Sequence, residues 1–158
     1  MNTAVQLAKH FRELHFGGTW TASDLSLHLK DVDWKQATAK VYSFNTIAAL
    51  VYHVNYYVSA VIRVLEGAPL KAKDADSFDH PPIQSREDWE NLVSKLWKDA
   101  ERLANLVEQL PESKLEETFV KEKYGSYYRN IQGVIEHTYY HLGQIVLIKK
   151  ILQHPVTG

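Results

Sequence analysis

His137 and His141 lie four residues apart in the segment His137-Thr-Tyr-Tyr-His141. On a helix that spacing places both imidazoles on one face with Cβ atoms about 5–6 Å apart, close enough to share one metal ion. Eight histidines in 158 residues produce about 0.4 such pairs by composition alone, so the surroundings must carry the reading. Val134, His137, His141, Ile145, Ile148 and Leu152 form a single stripe, the side of the helix that should face a core. Two unpartnered imidazoles in an apolar interior are costly, and a shared metal would satisfy both. A third ligand must come from a neighbouring helix, and His53, flanked by Leu50, Val54 and Tyr57, is the best placed. The other histidines read as surface or capping residues: His10 and His15 at the polar edge of the first helix, His28 in a connector, His80 and His154 each beside a proline. Thr138 follows His137 where an HExxH zinc protease needs its glutamate, which disfavours that chemistry.

Gln144 shares the face of the histidine pair one turn further on, where it could donate to a ligand or a bound water; an interhelical hydrogen bond suits it equally. Gly143 in mid-helix costs about 1 kcal/mol against alanine, which implies close helix packing there. Glu136 points about 100° away from His137 and is not placed to act as its general base. Tyr52, Tyr56, Tyr57, Tyr139 and Tyr140 crowd the histidines in sequence. Aromatic residues at helical spacing are more often core or dimer contacts, and Tyr57, four residues after His53, is the one best placed to orient a substrate. Lys121-Glu122-Lys123 and Lys149-Lys150 read as solvated faces. There is no glycine-rich phosphate loop, nucleophile elbow or paired-carboxylate pattern.

Four amphipathic helices must position these residues. The first spans Thr3 to Phe16 and stops at Gly17-Gly18; the second starts at Asn45-Thr46 and ends at Gly67-Ala68-Pro69. The third opens on Ser85-Arg-Glu-Asp88, in the form of a capping box, and runs to Pro111; the fourth runs from Tyr127 to Pro155. Thr19 to Tyr42 reads as a packed connector with short helices, Lys71 to Ile83 as a surface loop, and Thr118-Phe119-Val120 as a few extended residues. The pattern predicts an all-α, four-helix bundle over residues 1–158 as a single domain, with a long, partly helical connection between helices 1 and 2.

Composition narrows the function. Eighteen Lys plus Arg against nineteen Asp plus Glu leave a net charge of -1, so no basic field would gather nucleic acid or anionic lipid. The absence of Cys excludes disulfides, thiolate metal sites and a cysteine nucleophile, leaving His, Asp and Glu to hold any metal. The longest apolar runs look too short for a membrane span, and the charges in MNTAVQLAKHFREL do not suit a signal peptide. A cytoplasmic protein is expected.

The arrangement of His53 with His137-x-x-x-His141-Leu-Gly143-Gln144-Ile145, together with the Gly-Gly end of the first helix and the Asn45-Thr46-Ile47 lead-in, resembles the DinB-like superfamily of metal-binding four-helix proteins. The resemblance covers nearly the whole chain. It implies that His53, His137 and His141 bind one divalent metal (Zn, Ni or Fe, with Co also suited to three imidazoles), leaving positions open for water or substrate. Some members of that superfamily look like transferases or isomerases that use a low-molecular-weight thiol, and others like amide hydrolases. The implied partner is a small molecule, and pairing of the bundle as a homodimer is compatible with its exposed aromatic residues. Two other readings suit the same residues: a non-catalytic metal-binding protein, which would close the coordination shell and leave no pocket beside it, and a metal-free dimeric interaction module.

Overall fold

In the computed structural model, which describes residues 2–154, each long helix starts where a polar side chain satisfies an exposed backbone N–H. Asn2 accepts from the Val5 N–H and opens α1, Thr3–Phe16, which ends at Gly17 with φ +114°. Asp24 and Asp33 cap two five-residue helices, α2 (Leu25–Leu29) and α3 (Trp34–Thr38), the second through a reciprocal bond with Gln36. The connector is thus ordered, as expected. Thr46 caps α4, Ile47–Leu65. Ser85 caps α5, Arg86–Glu108, by accepting from the Asp88 N–H, while the Asp88 carboxylate accepts from the Gln84 N–H at 2.9 Å. After the short α6, Glu112–Glu116, Ser126 opens α7, Tyr127–Gln153. Pro155, the expected stop of this helix, lies outside the described residues.

The protein is all-α. Its four long helices enclose the core, with α1 and α4 each packed against both α5 and α7. Phe11 and Leu14 of α1, Leu50 and Val54 of α4, Leu96 and Leu103 of α5, and Ile135 and Ile145 of α7 are all buried there. The short helices close the ends: α2 lies on α1 and α7, α3 on α4 and α5. Trp89 of α5 donates its indole N–H to the Val32 carbonyl at 2.9 Å, which holds the connector down. Asn55 and Ser59 of α4 each donate to the Asp99 carboxylate of α5 at 2.8 Å and tie those two helices through a polar contact.

Four expectations need correction. α4 is long and apolar enough, by length and composition, to cross a membrane; 67% of its most apolar window is buried in the bundle, as a core helix requires. No strand forms among the described residues: Thr118 makes one isolated antiparallel bridge to Ser126, and the buried Phe119 anchors that turn. His15 is not at a polar edge. It continues the buried stripe Ala4, Leu7, Ala8, Phe11 and Leu14, is 0% exposed, and packs 4.3 Å from the Phe11 ring.

Gly143 is the fourth. It is exposed, and a Cβ built there meets nothing within 4 Å, so no close packing accounts for it. Gly143→Ala is therefore expected to stabilise the monomer by about 0.5–1 kcal/mol through helix propensity alone. Urea unfolding of the two proteins checks this, and a loss of stability would show that something packs on that position.

Candidate metal centre

Two neighbouring helices bring three histidines to one point. His53 sits in the middle of α4, and His137 and His141 occupy successive turns of α7, which packs beside it. His137 Nε2 lies 3.0 Å from His53 Nε2 and 3.1 Å from His141 Nε2. His53 and His141 are each only 7% exposed. The other described histidines stay apart: His10 faces Tyr139, His28 meets the Ser23 hydroxyl, and His80 the Pro81 carbonyl.

The second nitrogens decide which ring atoms face inward. The Ser77 hydroxyl donates to the Asp74 carbonyl at 2.7 Å, so its oxygen accepts from His53 Nδ1–H at 3.0 Å. The Gln144 side-chain carbonyl accepts from His141 Nδ1–H at 2.6 Å. Both arrangements leave the Nε2 lone pair turned to the centre. His137 Nδ1 is buried without a partner. A proton on His137 Nε2 can serve only one of its two neighbours. A divalent ion at 2.0–2.1 Å from each nitrogen would serve all three: the three ligand atoms lie within 4.8 Å of one another, and the two short contacts need to lengthen by a few tenths of an ångström to reach a tetrahedral N···N edge of about 3.4 Å. The residues present therefore fit a metal.

The centre also resists protonation. Burial pushes the His137 imidazole down to about 4, and the neighbouring His141 and His53 push the same way. Burial lowers His53, reinforced by His141, and lowers His141, against the opposing effect of the hydrogen bond that His141 donates to Gln144. Neutral imidazoles are the metal-binding form.

The segment read as a plain surface loop supports the site. The Lys73 N–H donates to the Tyr56 hydroxyl at 2.8 Å, Tyr57 donates to the Asp74 carboxylate in a short hydrogen bond, and Ser77 is 1% exposed. Phe78 stacks on the His53 ring, with centroids 3.8 Å apart and planes 5° from parallel. Tyr57 presents its edge to both His53 and His137, with ring centroids 5.3 and 5.1 Å away. Sequence reasoning singled out Tyr57 but not Asp74, Ser77 or Phe78, because an irregular loop has no periodicity to show which side chains turn inward. It placed Gln144 correctly beside the pair but with the wrong sense: Gln144 accepts from His141. Ser77→Ala should weaken divalent metal binding at least about tenfold by freeing the His53 ring. A competition titration against a chromophoric chelator reads this, and unchanged affinity would mean that Ser77 does not orient the ring.

Beside His137 a cavity of about 750 Å³ opens, with Tyr57, Asp74, Val134 and Arg129 also in its wall. An all-helical protein with a three-histidine cluster between two long helices, bordered by a cavity, is the class that the fold and site define. A family model described as the DinB superfamily matches residues 18–145, and the chain belongs to that superfamily. No curated protein and no solved structure gives a match.

Proposed function

We propose that this protein binds one divalent metal through His53, His137 and His141 and acts on a small-molecule substrate as a metal-dependent transferase or hydrolase, with a low-molecular-weight thiol or a water as the activated group. The observation that carries this reading is the convergence of three Nε2 atoms with two of the tautomers set by Ser77 and Gln144. Three neutral imidazoles suit Zn, Ni or Fe. When bound, such an ion supplies Lewis acidity, which lowers the pKa of a thiol or water brought to it. The protein's own part is positional. Ser77 and Gln144 hold two rings by their outer nitrogens, and Phe78 covers one face of His53 against water. Burial and the Asp74 carboxylate raise the Tyr57 phenol, so it stays protonated and directs its proton to Asp74. The cavity favours a site that takes a ligand over a closed structural one.

Elemental analysis of purified protein after exposure to Zn, Ni, Fe and Mn in turn tests the proposal, with His53→Ala and His137→Ala alongside. Near-stoichiometric metal that both substitutions remove is the expected result. Absence of metal under every condition, or metal retained by both variants, overturns it and leaves a helical interaction module as the better account.

A further inference from the structure

The cavity beside the histidines has opposite character at its two ends. Arg129, Gly133 and His137 all line it, and their spacing of four and four residues places them on one face of α7. The Arg129 backbone thus lies two turns, about 12 Å along the axis, before that of His137, and its guanidinium reaches forward over Gly133 to the Glu136 carboxylate at 3.1 Å. Lys123, in the turn that leads into α7, lines the same cavity with its ammonium 4.9 Å from the Tyr124 ring centre. The sequence suggested a solvated face for Lys123. Among the described residues it forms no ion pair with a carboxylate, and Arg129 pairs only with Glu136 at 3.1 Å, both side chains being more than half exposed. That surface pair is weak and leaves most of the guanidinium donors available. The N-terminus of α7 adds its partial positive charge at the same end.

The other end is acidic. Asp74 accepts the Tyr57 proton, and the Tyr57 ring lies against His137. A carboxylate placed there would meet a carboxylate. Val61, Leu70 and Phe119 supply apolar wall, and Gly133, which has no side chain, leaves room for the Arg129 guanidinium, whose Nη1 would stand 3.6 Å from a Cβ there.

We infer that the cavity takes a small organic acid whose carboxylate is held by Lys123 and Arg129 while an apolar spacer carries its reacting end to the histidine centre. The inference rests on the proposed reading of that centre, and Lys123 and Arg129 act in it as specificity-determining residues. A cavity of about 750 Å³ suits a molecule of this size.

Calorimetric titration of metal-loaded protein with 6-mercaptohexanoate and with 6-mercaptohexanol tests it, since the two probes share sulfur and chain and differ only at the far end. The acid is expected to bind roughly tenfold tighter, the range of a hydrogen-bonded charge contact. In the Lys123→Gln/Arg129→Gln double variant that preference should fall to near unity while the alcohol binds as before. Equal binding of both probes to the unmodified protein, or a preference that survives the double substitution, overturns the inference. Metal content measured on the same samples keeps the two readings separate. If no metal is found, hexanoate against 1-hexanol on the same proteins still reports on the cationic end, with the same two outcomes. Gly133→Leu should reduce binding of both probes, and of the acid more, because the added side chain fills the cavity and displaces the Arg129 guanidinium, with metal content unchanged; unaltered binding would place the ligand elsewhere.

Discussion

A divalent metal at 100 times its dissociation constant is expected to raise the melting temperature of the protein by roughly 5–10 °C and to leave His53→Ala unmoved. The magnitude follows from linkage: a ligand at that excess, bound only by the native state, stabilises by about 2.7 kcal/mol, and a chain of this length gains about 2–4 °C per kcal/mol. The specificity for His53 follows from topology. His137 and His141 belong to one helix and stay neighbours in any state that keeps α7 helical, whereas His53 reaches them only when α4 packs on α7. A metal that needs all three therefore reports on tertiary structure. Differential scanning calorimetry with and without chelator gives the measurement. A shift of equal size in His53→Ala would mean that the His137–His141 pair binds alone and that α4 takes no part.

Lowering the pH from 7 to 5 should cost the fold about 2 kcal/mol through His15 alone. Burial holds this imidazole down at about 4, against an ordinary value of 6.5. Its Nδ1–H donates to the Phe11 carbonyl at 2.9 Å, which leaves Nε2 as a buried acceptor with no partner. Between the two values the unfolded chain binds a proton that the native state refuses. Stability therefore falls as pH drops through 6.5 and is fully lost to this group near 4, each pKa unit being worth about 1.4 kcal/mol. His15→Leu keeps the site apolar and removes the titration. The measurement is the difference in urea-unfolding free energy between pH 7 and pH 5 for both proteins, in chelator so that the metal centre is in the same state. A slope in His15→Leu as steep as in the unmodified chain would show that His15 does not stay neutral in the native state.

These two histidines also mark how far the sequence could be read. The partners His137 and His141 were legible because they share one helix, and the stripe on which they lie is a local pattern. His53 was legible as the apolar-side histidine of a second helix, and α4 does bring it within 3.0 Å of His137. His15 was misread because its place on α1 lies at the border of the apolar stripe. Whether a border position is covered depends on which helices flank α1, and α5 and α7 both do. Gly143 failed for the opposite reason: a glycine in a helix invites a packing explanation, and only the neighbouring atoms show that there is none.

Helix starts and stops, the sorting of residues into buried and solvated faces, and membership of the DinB superfamily were determined by the sequence itself. Capping bonds and the 3.6-residue repeat act between residues close in the chain, so they leave a local trace. The tertiary structure alone decided the rest: that Ser77 turns the His53 lone pair inward, that Phe78 and the Tyr57–Asp74 pair border the centre, and that one cavity is lined by His137 together with Asp74, Lys123 and Arg129. These depend on contacts across tens of residues, such as the 24 that separate His53 from Ser77. An irregular loop can direct any of its side chains at such a target, because only the packing of the helices beneath it says which one arrives.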